Sequence, residues 1–225
     1  RDIQRKEPMT ILPTRITFIR HGHVHNPEDV IYGRLPGFGL SDAGRAQVLA
    51  AASVLEGATL AAIYTSPQLR ATQTAELIAR HHRGIKVTTA PLIDEIRTYF
   101  EGHPSCEVEA RGWDLYTGVA PGYEVPLDIA ERGGCFVRET RTRHPGEHIA
   151  VATHGDVIAF TVLWAMQQPV RVDLKRTLDR FGITDSYPAT GSLTTFVYRT
   201  CEPAEVPVID YVRPYGDDLT LPSLS

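Results

Sequence analysis

Apolar residues come along this chain in short runs, and two of the runs end at polar clusters that carry glycine. Ile16-Thr17-Phe18-Ile19 is β-branched and aromatic, so residues 15–19 read as a buried strand. Residues 60–64, 85–88 and 148–152 have the same texture, and 192–198 alternates as a strand does. Between these runs the apolar spacing turns helical. Ala46, Val48, Leu49, Ala52 and Leu55 share one face of a helix that Ser41 caps and Gly57 stops. Ser66 and Pro67 predict a second helix running to Arg80, with Ser66 as N-cap and Pro67 at its first position. Residues 125–143 read as a third, weakened in its interior by Gly133-Gly134. Residues 157–166 and 173–181 read as two more. Strands alternating with helices predict an α/β fold, a three-layer α/β/α sandwich with a mostly parallel central sheet.

Two stretches break the alternation. Residues 22–40 hold Pro27, Gly33, Pro36, Gly37 and Gly39, a loop long enough to suggest function. Residues 93–123 are irregular and read as an insertion over one face, about 96–123 of it covering the site. The organisation expected is an extension over 1–14, one domain over 15–200 and a proline-rich, acidic tail over 201–225. The chain begins with Arg1, and the expectation is that Met9 is the natural start, with residues 1–8 partly non-native.

Charge and cysteine usage narrow the class. A net charge of −4 over 225 residues gives no basic footprint for nucleic acid. Cys106, Cys135 and Cys201 lie far apart, which argues against a disulfide framework or zinc knuckle and fits a reducing, cytoplasmic setting. The most apolar run, 157–166, is too short to span a bilayer, and no apolar signal region precedes the first strand. No membrane partner is expected. Val206 and Tyr215 bound a segment read as partner-facing, with a homodimer as the expected assembly.

Two strands end alike, at Arg20-His21-Gly22 and Thr153-His154-Gly155. Open α/β sheets place their sites at the carboxyl ends of strands. If the two strands are parallel neighbours, His21 and His154 face one pocket. Arg70, in the first turn of the second helix, reaches the same rim; buried there it opposes the helix dipole and needs an anion nearby. Two arginines and two histidines around one point suit a phosphate dianion.

These residues carry a resemblance. The chain resembles the histidine phosphatase superfamily in its phosphoglycerate mutase-like branch. The matching stretches are Phe18-Ile19-Arg20-His21-Gly22, Gly33-Arg34, Leu40-Ser41 with Gly44, and Tyr64 through Ala75 around Thr65-Ser66-Pro67-Gln68-Leu69-Arg70. Leu92-Ile93-Asp94-Glu95-Ile96, Pro121-Gly122-Tyr123-Glu124 and Val151-Ala152-Thr153-His154-Gly155 follow in family order. The resemblance implies that His21 attacks phosphorus and becomes phosphohistidine. It implies that Arg20, Arg70 and His154 hold the transferred oxygens, with Gly155 beside them, and that Glu95 moves the proton. It implies no metal and no cofactor. The expected reaction is hydrolysis of a small phosphate monoester. A carboxylic acid that donates a proton needs a raised pKa, expected here from partial burial with few cations nearby.

Departures and rivals remain at this point. His23 stands where the family usually has glutamate or glutamine, and Asn26 matches its phosphate-binding asparagine only one residue out of register. Asp94 and Glu101 compete with Glu95 for the proton donor. Asp156 suggests the His-Asp pair of the acid phosphatase branch, but Gly155 intervenes, and a helix N-cap is the simpler reading. His21, His23 and His25 alternate, as ligands of a metal-dependent hydrolase would on an extended segment. A mutase would need more basic groups in the insertion, where Arg97, His103 and Arg111 are offset by Glu101, Glu107, Glu109 and Asp114. A phosphate-binding relative without catalysis is the third class.

Overall fold

The computed structural model describes residues 12–219; the expectations for residues 1–11 and 220–225 lie outside these. Its strands are β1 (Thr14–Arg20), β2 (Leu60–Thr65), β3 (Val87–Thr89), β4 (His148–Thr153), β5 (Leu193–Tyr198) and β6 (Val208–Val212). They form one sheet in the order β3-β2-β4-β1-β5-β6. The first four are parallel to one another, β5 runs antiparallel to β1, and β6 antiparallel to β5.

The two central strands have no polar face, which is why they read as continuous apolar runs. Ile16 and Phe18 of β1, with Ile149 and Val151 of β4, pack on α4 (Pro126–Arg143) and α5 (Gly155–Ala165), where Phe136 and Phe160 meet them. Ile19, Ala150 and Ala152 point the other way, onto α1 (Asp42–Leu55) and α2 (Leu69–Ala79), through Val48 and Ile78. This is the expected three-layer sandwich. Each fully buried Ile or Phe contributes about 1.5–3 kcal/mol, so the register of β1 against β4 is strongly held.

Four local expectations change. Gly133-Gly134 does not interrupt α4. A Cβ at Gly133 would lie 2.1 Å from Thr161 Oγ1, and one at Gly134 2.4 Å from Trp164 Cε2, so the pair lets α5 lie close. Residues 173–181 are not one helix but two 3₁₀ turns, Val172–Leu174 and Leu178–Phe181. Lys175, just after the first turn, and Leu178, at the start of the second, are the buried positions there. The acidic tail contains β6, which completes one sheet edge with Ile209 and Tyr211 against the core. The second helix begins at Leu69 with Gln68 as N-cap, not at Pro67; the Ser66 hydroxyl accepts from the Gln68 amide at 3.3 Å and also meets His154 Nε2 at 2.7 Å.

The segment over 93–123 is mostly irregular, as expected, with α3 (Ser105–Glu109) as its one short α-helix among the described residues. It closes on the loop over 22–40 through Ile31, Phe100 and Val108, with Trp113 and Leu115 against them. No helix among the described residues is long and apolar enough to cross a membrane.

Candidate active site

The pairing of β1 with β4 sets the site. Arg20 lies opposite Thr153, so the next residues, His21 and His154, leave the sheet side by side. Their ring centroids are 5.3 Å apart and both are buried. His21 N donates to the Thr153 carbonyl at 2.9 Å. His21 Nδ1 sits 2.8 Å from the Gly22 carbonyl. A carbonyl only accepts, so Nδ1 carries the proton and Nε2 keeps its lone pair. Burial, then the charges of Arg70, His154 and Arg20, hold the His21 pKa well below the usual histidine value, which leaves the ring neutral near pH 7. Gly22 admits the start of α1: a Cβ there would lie 2.3 Å from the Gly44 carbonyl oxygen.

Arg70 is fully buried and has its anion. Its Nη2 donates to Glu95 Oε2 at 2.9 Å and to the Gly33 carbonyl at 2.8 Å. Its Nε lies 3.3 Å from His21 Nε2, and the Tyr32 ring lies 4.5 Å from its guanidinium carbon. Arg20 behaves differently. Its Nη1 donates to the Pro188 carbonyl at 2.9 Å, but its Nε is buried with no hydrogen-bond partner. A buried cationic donor left open at a cleft it lines is a place for an anion.

His154 has no free nitrogen. Nε2 is 2.7 Å from Ser66 Oγ, which itself donates to Asp94 Oδ1 at 3.2 Å, so Ser66 accepts from the ring. Nδ1 faces Glu95 Oε2 at 3.0 Å. Burial lowers the His154 pKa, against the pull of Glu95. Of the three candidate donors Glu95 lines the cleft; Asp94 is spent on Ser66, Gln68 and the Glu95 amide, and Glu101 on the Arg34 amide. The raised pKa expected for Glu95 is not found. Burial pushes it up, but His154 and Arg70 outweigh burial and hold the carboxyl well below the usual range.

A family model described as the histidine phosphatase superfamily, branch 1, matches residues 16–193. The chain belongs to that superfamily. Among curated proteins it is 36% identical over 148 residues to Uncharacterized protein Rv0525 of Mycobacterium tuberculosis, covering 63% of this chain and 73% of that one. Among solved structures it superposes on a mycobacterial glucosyl-3-phosphoglycerate phosphatase with a TM-score of 0.66 at 23% identity, over 82% of this chain and 90% of that chain. It superposes on a phosphoserine phosphatase from Entamoeba histolytica, solved with 3-phosphoglyceric acid, with a TM-score of 0.68 at 22% identity, over 88% and 96%. These two likenesses are of fold.

Within this histidine phosphatase fold some expected residues stand elsewhere. Asn26 is not at the cleft. Its side chain holds both the carbonyl (2.9 Å) and the amide (3.3 Å) of Val30 and shapes the loop instead. His23 is turned to Ser41 Oγ at 2.8 Å, and His25 is exposed, so the alternating histidines do not converge. His21, Glu95 and His154 do offer ligand atoms within 4.8 Å of one another. The Arg70 guanidinium, however, contacts all three and already supplies the positive charge there.

Asp156 is not the N-cap of α5; His154 is. Asp156 is buried and accepts from Lys175 Nζ (2.8 Å), Tyr116 Oη (2.5 Å) and Tyr187 Oη (2.7 Å). Burial and Asp156 raise both phenol pKa values well above the usual value, so both remain donors. Tyr187 lies over Gly155 and carries Arg20 on its ring, 5.3 Å from the centroid. Sequence reasoning missed Tyr187, Lys175 and Arg176, which line the cleft with Gly155 and Asp156. No local motif marks them. The sole pointer was the carboxylate that follows His154-Gly155.

Proposed function

We propose that this chain is a metal-independent phosphatase that hydrolyses small phosphate monoesters through a phosphohistidine on His21. The carrying observation is the His21 Nε2 lone pair, fixed by the Nδ1–Gly22 contact, beside the unpartnered Nε of Arg20. A neutral imidazole is a competent nucleophile, and transfer in two steps replaces direct attack by water. Phosphoryl transfer asks chiefly for positioning and charge stabilisation, which fixed guanidinium groups supply.

The reaction runs as follows. The phosphate takes Arg20 Nε, Arg70 and His154 as partners for its non-bridging oxygens. That draws Arg70 and His154 away from Glu95 and adds negative charge beside it, and both changes raise its proton affinity. Glu95 therefore becomes an acid once substrate is bound. His21 Nε2 forms the N–P bond as the P–O bond to the alcohol breaks, and Glu95 protonates the departing oxygen. Water then attacks phosphorus, Glu95 takes its proton, and inorganic phosphate leaves His21 neutral again.

A mutase is disfavoured by the cover. Arg97 is exposed, His103 is paired with Glu107, and Arg111 is bonded to the Asp114 and Thr117 carbonyls. The insertion offers the cleft Ile96, Thr98, Trp113 and Leu115 instead. The test is hydrolysis of p-nitrophenyl phosphate in excess EDTA, with 3-phosphoglycerate assayed for isomer formation. Turnover unaffected by EDTA, without isomer formation, is expected. Activity lost to EDTA and restored by zinc, or isomerisation faster than hydrolysis, would overturn the proposal.

A further inference from the structure

Arg20, Lys175 and Arg176 line the cleft and Arg70 bonds to His21 at its edge; two of these four cations are neutralised by their own neighbours. Arg70 is paired with Glu95 at 2.9 Å and Lys175 with Asp156 at 2.8 Å. Arg20 and Arg176 have no carboxylate partner among the described residues, and in each the Nε is buried without a hydrogen bond. Arg20 belongs to the reacting phosphate. Arg176 has no role in the chemistry derived above, yet it lines the same cleft.

Its setting is built. The Arg176 guanidinium carbon lies 4.8 Å from the centroid of the Tyr187 ring and 5.9 Å from that of Trp113. Tyr187 is anchored through its hydroxyl to Asp156 at 2.7 Å. Trp113 stands in the left-handed backbone region, φ 63°, with its carbonyl accepting from Lys175 Nζ at 2.9 Å. A bulky residue held there signals a constraint from its surroundings. Ring contacts leave the in-plane N–H donors of a guanidinium free, the fork that fits a carboxylate. Arg20 sits 5.3 Å from the same Tyr187 centroid, which puts the two guanidinium carbons within about 10 Å of each other. One small molecule spans that distance. The Tyr187 ring is common to both, and the same cleft carries apolar lining from Ile31, Ile96, Trp113 and Leu115.

We infer that Arg176 is a specificity-determining residue that reads a carboxylate on the leaving alcohol. The preferred substrate is thus a phosphate monoester whose alcohol has an apolar body and ends in one carboxylate. This rests on the phosphatase reading and adds the substrate class to it. One unpaired guanidinium matches one negative charge, so a single carboxylate is the fitting group.

The test compares 4-(carboxymethyl)phenyl phosphate with 4-ethylphenyl phosphate, two esters of similar leaving group and size that differ in the distal charge. The readout is the ratio of their kcat/KM values, which is insensitive to any change in the common rate. A ratio of about tenfold or more in favour of the carboxylate is expected, the effect of one charge-assisted hydrogen bond. Arg176→Gln should bring it to about 1, and Arg176→Lys, which keeps the charge, should keep part of it. A wild-type ratio of 1 or below, or a ratio that survives Arg176→Gln, overturns the inference. If neither ester is hydrolysed, the phosphatase reading fails separately. Calorimetric binding of the same pair then decides: Arg176-dependent preference for the carboxylated ester supports the inference, and equal binding overturns it.

Discussion

The two strand ends Arg20-His21-Gly22 and Thr153-His154-Gly155 lie in adjacent register and deliver two buried imidazoles 5.3 Å apart. Their hydrogen bonds separate them. His21 Nδ1 donates to the next carbonyl, and its Nε2 accepts one hydrogen bond, from Arg70 Nε at 3.3 Å. His154 is held at both nitrogens, by Ser66 and by Glu95. In the proposed mechanism the same residue type at the same place on neighbouring strands is a nucleophile in one case and a fixed donor in the other. What distinguishes them is the partner of each ring nitrogen, and His154's partners come from segments some 60 to 90 residues away.

Substitution breaks this comparison most sharply at the imidazoles themselves. On the proposed mechanism His21→Ala removes the nucleophile of the N–P bond, and kcat should fall by about 10⁴-fold or more. His154→Gln removes a donor to the transferred oxygens and should cost about 10²–10³-fold. Steady-state assays on one ester that gave equal losses would erase the distinction. Next is Glu95→Gln. With a poor leaving group such as an aliphatic alcohol the loss should be about 10²–10⁴-fold, shrinking markedly with 4-nitrophenol, which needs no proton. A loss independent of leaving group would assign the proton to another residue.

Smaller effects sharpen it further. Ser66→Ala removes one neutral hydrogen bond from His154 Nε2 and leaves His21 untouched, so kcat should drop only about fivefold, equivalent to ~1 kcal/mol. The two environments also set the response to acid. His21 and His148 both have folded pKa values below the usual 6.5, that of His148 at about 4, mainly through burial. As pH falls from 6.5 to about 4 the unfolded chain binds protons that the folded chain refuses, so stability declines through that window and is fully present above it. Urea midpoints at several pH values measure this, and His148→Asn should flatten part of the slope. The acid limb of kcat/KM, set by His21, should lie below the ordinary histidine value.

The floor of the site was legible because each of its residues sits where a regular element starts or ends. Arg20, His21 and His154 follow apolar strand runs, and Arg70 opens a helix whose dipole demanded the anion that Glu95 supplies. The cover was not legible. Asp156 binds Lys175, Tyr116 and Tyr187 across 19, 40 and 31 residues, and no periodicity reports a contact of that kind. Asn26 failed because its loop uses the amide for its own closure. The acidity of Glu95 failed because proximity to Arg70 and His154, not composition, sets it. Ser66 stands two residues before the cap, its hydroxyl shared between the Gln68 amide and His154, and no local pattern reports the second partner.

The central claim is that His21, not His154, carries the phosphoryl group. Intact-protein mass spectrometry after a brief quench without acid, during slow turnover, followed by fragmentation of the labelled peptide, tests it directly. One added phosphate is predicted, localised to His21, absent in His21→Ala and more abundant in Glu95→Gln if hydrolysis of the adduct is slowed. A phosphate on His154, or no adduct in wild type and Glu95→Gln alike, would contradict the account.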